Sequence, residues 1–585
     1  MHKLKFALIP AACLLLGAAY KYCGDSSART AAAEFKSFTE TMFQNEITSN
    51  TLNLHYTLKE PENYGITDYP VTFGETADLS LVAPDASPSV DDYRSILYDI
   101  SCDSLSLSDR ITYDVLSLAL ENAAEAGTYA LYQEPLGPAT GVQAQLPILL
   151  CEYAFFDKED VEEYLTLIAQ TDTYFASLLQ FEKSKARAGL FMSDKNAEAI
   201  IAQCIGFLGN KVPEENLLVT IFNEKLQELD FLSESERASY RERNLQAVDI
   251  HVLTAYELLA SGLESLKGSG KNPNGLCWLP EGKSYYEYLL RSAVGSYLPV
   301  DAIERRIRKQ LSDDISECRR LLGNDPSAAD ADAIADIPTD PVEILADLQE
   351  KISENYPACP QANVRIEYVH QSLENFLSPA FYLTPPIDNI ADNVIYINNA
   401  SVSSPLELYT TLAHEGYPGH LYQNLSSGSS LNPVRSLFSF GGYTEGWATY
   451  VEMESFCYTA DTQSEQNAAA FRRLNRSVML GLSSLLDICI HYRGYTREQT
   501  ADFLKTLGFA NPSAADALYD AIIESPANYL KYYLGCLSFY DLRSYCMENW
   551  SEKFDLKDFH KQVLSVGPAP FPVLEKYLKL YYQSA

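Results

Sequence analysis

The chain has 585 residues, of which 46% are hydrophobic and 21% charged, a composition typical of a globular protein with a large core. Its net charge of −35 repels phosphate backbones and anionic lipid head groups, which argues against nucleic acid as a partner. The acidic surface needs no explanation beyond solubility.

The N-terminus is typical of an export signal. A basic start at residues 2–5 precedes an apolar run from Phe6 to about Tyr20, with a small-residue cleavage site at 17–19. The run is shorter than the roughly 20 residues of a membrane span. We interpret residues 1–24 as a signal peptide or an N-terminal anchor, and we expect a secreted or cell-surface protein. Lipidation at Cys23 is disfavoured because the three residues before it are not small.

Residues 25–585 are predicted to form one mainly helical body, because apolar residues recur at three- and four-residue intervals. An Asp-, Ala- and Pro-rich segment at 322–341 predicts an exposed loop or a lobe boundary. Residues 364–369 and 394–397 are strand-like and predict a small β-sheet beside the helix that follows. The twelve cysteines are scattered without a CxxC pair, and we interpret most of them as structural thiols and none as a nucleophile.

A helix that begins at Ser404-Pro405 is predicted to carry His414 and Glu415, and His420 follows. A zinc hydrolase needs two imidazoles on the metal and a carboxylate beside the activated water. An HExxH helix places its histidines four residues apart on one face. A spacing of six turns the rings roughly 120° apart on a regular helix. We therefore predict that Pro418-Gly419 breaks the helix and lets the second histidine reach the metal.

A third ligand is expected from a second helix, for which Thr444 is the predicted cap. Glu445 follows His420 by 25 residues, and Glu452 lies seven residues later on the same face. One of the two can bind the metal while the other orients an imidazole. We predict His414, His420 and Glu445 as zinc ligands, and Glu452 stays the alternative to Glu445.

These motifs resemble the bacterial DUF885 family, which is related at the motif level to helical gluzincin peptidases. The resemblance rests first on HExxPGH at 414–420 and EGWA-x-Y-x-E at 445–452, and it covers roughly residues 140–585. Further family-like stretches lie at 145–147, 279–291, 378–386, 487–499 and 526–543. The chain departs from the family pattern at Ala527-Asn528, where Gly-Gln is usual, and at Cys489, where Gly is usual. The resemblance implies a helical metallopeptidase-like fold and a zinc site, but no particular substrate.

The catalytic residues are assigned as hypotheses. Glu415 is the predicted general base, which takes a proton from water and passes it to the leaving amine. The oxyanion needs further donors, and Tyr532 and His491 are the candidates because both lie in family-like segments. Tyr529 and Tyr533 are rivals to Tyr532, and His491 has the alternative role of a core histidine.

Substrate binding is assigned more loosely. Arg543 can bind the C-terminal carboxylate of a peptide, although a structural ion pair explains it equally well. The strand-like run at 394–397 can pair with an extended substrate backbone. The expected function is therefore a zinc metallopeptidase acting on a peptide or a small amide. The alternatives are a metal-dependent hydrolase of a non-peptide amide or ester, and a non-catalytic exported binding protein with a relic motif.

Overall fold

The computed structural model describes residues 28–74, 88–330, 334, 337–369, 374, 378–428, 431–509 and 511–584. The predicted leader at 1–24 and part of the segment at 322–341 lie outside these residues, so the leader and the lobe boundary stay predictions. Helix makes up 71% of the structure, which confirms the mainly α fold. Among the described residues, no helix is long and apolar enough to cross a membrane.

The N-terminal half is a stack of helices. Several of them begin where a Ser, Asp or Asn side chain accepts a backbone N–H of the first turn, as at Ser193. The helices are α1 (Ala28–Ile47), α2 (Thr51–Thr57), α3 (Val90–Asp99), α4 (Leu107–Ala126), α5 (Val142–Glu152), α6 (Lys158–Ile168), α7 (Thr171–Ala188), α8 (Asp194–Leu208), α9 (Leu217–Glu228), α10 (Glu234–Ala247) and α11 (Thr254–Leu266). Helices α5 to α11 share one hydrophobic core, and the N-terminal α1 packs in a second one with α3 and α4.

The C-terminal half surrounds the largest core. Its first helices are α12 (Gly282–Leu289), α13 (Val300–Asn324) and α14 (Pro341–Ile352). The helices after the sheet are α15 (Pro405–Glu415), α16 (His420–Ser427), α17 (Gly441–Ser455), α18 (Gln463–Ile488), α19 (Arg497–Thr506), α20 (Pro512–Glu524), α21 (Asn528–Asn549), α22 (Leu556–Val566) and α23 (Phe571–Ser584). Each described cysteine is a free thiol, and those at 151, 204, 489, 536 and 546 are buried.

The small sheet has three strands in the order β1–β3–β2. Strands β1 (Asn363–Tyr368) and β3 (Asp392–Ile397) are parallel and match the two predicted strands, whereas β2 (Ala380–Leu383) pairs antiparallel with β3 and was not predicted. Because β3 is the central strand, both of its edges are occupied. The hypothesis that 394–397 pairs with a substrate backbone is therefore wrong, and β2 is the edge strand that lies beside α15.

Helices α17 and α21 are in close contact because each has a glycine at the crossing point. A Cβ atom at Gly446 would lie 2.5 Å from the Cα atom of Gly535. Any side chain at either position would push the helices apart. The crossing brings Glu445 of α17 and Tyr532 of α21 to the same part of the molecule.

Candidate metal centre

The helix break predicted at Pro418-Gly419 is present. Helix α15 begins with Ser404 as its N-cap and ends at Glu415, and α16 begins at His420. A Cβ atom at Gly419 would lie 1.7 Å from the carbonyl oxygen of His414, so only glycine lets the chain fold back this tightly. The connection returns the second histidine to the side of the first.

Trp447 of α17 holds this connection in place. Its indole Nε1 donates a hydrogen bond of 2.8 Å to the carbonyl oxygen of Pro418, and its ring is fully buried. Helix α17 begins at Gly441, four residues earlier than predicted, and Thr444 is not its cap. The Thr444 hydroxyl instead donates to the carbonyl oxygen of Phe440 from inside the first turn.

His414, His420 and Glu445 meet at one point. The Oε2 atom of Glu445 lies 3.5 Å from Nε2 of His414 and 3.4 Å from Nε2 of His420. Three ligands in tetrahedral geometry at zinc distances of roughly 2.0–2.1 Å lie about 3.3–3.4 Å from one another. The separations to the carboxylate oxygen thus fit a zinc ion, and two imidazoles with one carboxylate are a common donor set for catalytic zinc.

Glu452 contacts the other nitrogen of the first imidazole. Its Oε2 atom accepts a hydrogen bond of 3.0 Å from Nδ1 of His414, and Arg476 donates from Nε to Oε1 at 2.7 Å. A hydrogen bond at Nδ1 leaves Nε2 as the unprotonated nitrogen that a metal requires. If a metal ion binds at Nε2 of both imidazoles, Glu445 would be its third ligand and Glu452 would orient the imidazole of His414.

The local electrostatic field favours a cation. Burial opposes charge on His414, but its hydrogen bonds to Glu445 and Glu452 outweigh burial and raise the pKa of His414 to about 10. Burial also opposes the charge of Glu452, yet Arg476 and His414 lower the pKa of this carboxyl to about 2. A proton and a metal ion would therefore compete for Nε2 of His414.

Glu415 lies beside His414 and His420, and a strand of the sheet holds it in place. Its Oε2 atom accepts a hydrogen bond of 2.9 Å from the backbone N–H of Tyr382 in β2. One oxygen of Glu415 and one nitrogen each of His414 and His420 lie within 4.8 Å of one another. Both carboxylates are thus close to the imidazoles, but the oxygen of Glu445 is the nearer one. Glu415 is left in the position of a neighbouring base.

A cavity of about 1960 Å³ opens over this cluster. Its described walls include β2, α15, α16, and one face each of α17 and α18. Tyr532 also lines it, with its ring centroid 6.4 Å from that of His414. Burial and the charges of Glu445 and Glu415 raise the pKa of Tyr532 well above its ordinary value, so its hydroxyl stays a hydrogen-bond donor.

Two predicted site residues lie elsewhere and do not line this cavity. His491 accepts the backbone N–H of Leu276 at Nδ1 and contacts the carbonyl oxygen of Ile522 at 2.8 Å from Nε2, so both of its ring nitrogens are occupied. Burial lowers the pKa of His491 to about 4, as expected of a neutral core histidine. Arg543 pairs with Glu454 at 3.5 Å. Neither residue belongs to the candidate site.

The rivals to Tyr532 also lie outside the cavity lining. Tyr533 is buried, and its hydroxyl shares a hydrogen bond with Ser477 at 3.3 Å. Tyr529 packs against the small core between α18 and α20. Two members of the site were not predicted, Arg476 and the backbone of Tyr382. Arg476 comes from a segment without a recognisable motif, whereas Tyr382 lies in the family-like stretch 378–386 but contributes only its backbone N–H, which no residue type indicates.

A profile of the bacterial proteins of unknown function designated DUF885 matches residues 78–578. The chain belongs to this family. The DUF885 membership agrees with the resemblance seen in the motifs, and it assigns no activity. None of the curated proteins matches the sequence.

Two solved structures share the fold. A candidate lipoprotein from Colwellia psychrerythraea is 19% identical, with a TM-score of 0.76 over 96% of this chain and 100% of that one. A candidate lipoprotein of unknown function from Shewanella oneidensis is 17% identical, with a TM-score of 0.64 over 93% of this chain and 99% of that one. At these identities the likeness supports the fold and nothing further.

Proposed function

We propose that this DUF885 protein is a zinc-dependent hydrolase, specifically a metallopeptidase. The observation that carries the proposal is the meeting of one carboxylate oxygen of Glu445 with Nε2 of His414 and of His420, at 3.5 and 3.4 Å, on the wall of a large cavity. Glu415 stands beside them as the carboxylate that this chemistry requires.

Zinc held by these three side chains would supply a Lewis acid that acidifies water and polarises a carbonyl group. Glu415 accepts the proton of the attacking water and delivers it to the leaving nitrogen as the C–N bond breaks. The backbone N–H of Tyr382 keeps one oxygen of Glu415 fixed and leaves the other for the proton. The hydroxyl group of Tyr532 donates a hydrogen bond to the substrate oxygen on which negative charge develops.

The cavity supports a peptide as the substrate. Its volume of about 1960 Å³ exceeds the roughly 300–1,000 Å³ of most small-molecule sites, so several residues can enter. The edge strand β2 forms part of its wall, so an extended chain can lie along this edge of the sheet. The net charge of −35 disfavours nucleic acid as a substrate.

We place the enzyme outside the cytoplasm, either secreted or at the cell surface. Residues 1–24 have the pattern of a signal peptide or anchor. Both solved relatives are described as candidate lipoproteins, which is consistent with such a location.

The test is Glu415→Gln, with Glu498→Gln in the exposed part of α19 as the matched control. We expect both variants to bind one zinc per chain by metal analysis. Hydrolysis of a mixed peptide library, followed by mass spectrometry, should fall by orders of magnitude in the first variant alone. Wild-type protein that takes up no zinc would refute the metal centre, and full activity in Glu415→Gln would refute the role of this base.

A further inference from the structure

Arg476 is a positively charged residue of the cavity wall that is connected to His414 through Glu452. It lies on α18 and lines the cavity. Its Nε and Nη2 atoms donate to the two oxygens of Glu452, at 2.7 and 3.4 Å, and Glu452 in turn holds His414. The side chain of Arg476 is nevertheless 44% exposed, whereas that of Glu452 is 7% exposed. One edge of the guanidinium is therefore fixed and the other faces the cavity.

The open edge has donors to spare. A guanidinium carries five N–H groups in a planar fork that matches a carboxylate. Glu452 uses only the edge formed by Nε and Nη2, and Nη1 of Arg476 has no hydrogen-bond partner among the residues that the structure describes. The edge formed by Nη1 and Nη2 can accept a second carboxylate as a two-pronged ligand.

The other arginines in the described lining donate hydrogen bonds to backbone carbonyl groups. Arg435 is buried and donates to the carbonyl oxygens of Val566 and Pro568. Arg472, one turn before Arg476 on α18, donates to the carbonyl oxygens of Ala329 and Asp330. The half-exposed guanidinium of Arg476 is therefore the group in the described lining that offers an anion a charged hydrogen-bond donor beside the candidate metal ligands.

We propose that Arg476 binds the C-terminal carboxylate of the substrate, so that the enzyme removes a short fragment from the C-terminus of a peptide. This inference rests on the proposed peptidase function. The guanidinium of Arg476 and the imidazole of His414 both contact the carboxylate of Glu452. Roughly three extended residues of a substrate, at about 3.3–3.6 Å each, can span the distance between these two groups. Water adds across the scissile C–N bond, with hydroxyl to the carbonyl carbon and hydrogen to nitrogen, and the released fragment keeps its carboxylate on Arg476.

The experiment uses full-length, zinc-loaded protein and one library of short N-acetylated peptides, made with either a free C-terminal carboxylate or a C-terminal amide. We expect the wild type to cleave the acid form with a kcat/KM about 10- to 100-fold above that of the amide form, the range of a charge-assisted contact. Arg476→Gln should reduce this ratio to near one, and the ratio is the readout because the loss of the hydrogen bonds to Glu452 slows cleavage of both forms alike. Arg472→Gln is the matched control and should keep the ratio.

A binding measurement separates this inference from the proposed function. Calorimetry on zinc-loaded Glu415→Gln should show the same preference for the acid form, and the preference should disappear when Arg476→Gln is added. If the wild type cleaves neither form, the peptidase proposal fails, and the binding preference alone decides the role of Arg476. If the wild type cleaves both forms equally, the inference fails and the peptidase proposal stands.

A purely structural role for Arg476 predicts a different experimental result. If the guanidinium only supports Glu452, Arg476→Gln should lose zinc and slow both peptide forms to the same extent. Arg476→Lys keeps a charge beside Glu452 but lacks the planar fork, so it covers the case in which the glutamine variant does not fold. A lysine variant that retains zinc and the full wild-type ratio would overturn the inference, and an intermediate ratio would support it.

Discussion

Asp487 of α18 has a buried carboxyl group, and its titration should make the free energy of unfolding depend on pH. Its Oδ1 atom accepts hydrogen bonds from the hydroxyl of Tyr286, at 2.6 Å, and from the backbone N–H of Ala527, at 3.1 Å. Its Oδ2 atom is buried without a hydrogen-bond partner among the described residues. Burial outweighs these two bonds and raises the pKa of Asp487 from 3.8 to about 7. Asp487→Asn removes this titration and keeps an oxygen for both donors.

The sign and size of the effect follow from linkage. Between about pH 4 and pH 7 the folded protein holds a proton that the unfolded chain releases, so stability falls as pH rises through this range and is constant above it. The gap between the two pKa values corresponds to about 4 kcal/mol, at 1.36 kcal/mol per pH unit. The amide nitrogen that replaces Oδ2 costs about 1–3 kcal/mol at every pH, because it is equally without a partner.

The assay is urea unfolding of wild type and Asp487→Asn from about pH 4 to pH 9, with both proteins at the same zinc concentration. The stability of the variant relative to wild type should rise by several kcal/mol between pH 4 and pH 8. Asp461→Asn, at an exposed position, controls for the loss of one negative charge from an acidic chain. A difference between Asp487→Asn and wild type that does not change with pH would refute the reasoning.

Two further predictions concern the metal centre. Glu452→Gln weakens the support of the His414 imidazole, so zinc affinity measured by chelator competition should fall about 10- to 100-fold, whereas Glu454→Gln on the same helix should leave it unchanged; equal affinities in both would contradict the orienting role. Tyr532→Phe should lower kcat by about 10²–10³-fold with zinc content and KM nearly unchanged, and Tyr529→Phe is the control. An undiminished kcat in Tyr532→Phe would remove this hydroxyl from the mechanism.

Local sequence chemistry predicted the secondary structure well. The helix start at Ser404-Pro405 and the strands at 364–369 and 394–397 appear within a few residues of their predicted positions. The missed strand β2 has four residues, which is too short for an alternating pattern, and it exists because β3 offers it a free edge. The start of α17 was misplaced because Thr444 is a good N-cap type in the wrong position.

In the site, too, some features could be predicted from the sequence and others depend on tertiary contacts. Gly419 was expected to relieve the helix, but the tight approach to the carbonyl oxygen of His414 is visible only in three dimensions. The family-like segment around His491 drew attention to a conspicuous histidine, and burial between two backbone groups makes it a core residue. Tyr532 and its neighbours Tyr529 and Tyr533 cannot be told apart by sequence, because the choice depends on which face of α21 meets the cavity.

The sequence by itself determined the helical class, the pair of motifs at 414–420 and 445–452, and the need for a break between the two histidines, since these follow from periodicity and from the spacing of residue types. The tertiary structure decided which glutamate meets both imidazoles, which tyrosine faces the cavity, and that Arg476 rather than Arg543 stands beside the site. These choices depend on how α17 packs against α15, how α21 packs against α17, and how α18 packs against α21. Contacts between residues that are distant in the chain leave no local pattern in the sequence.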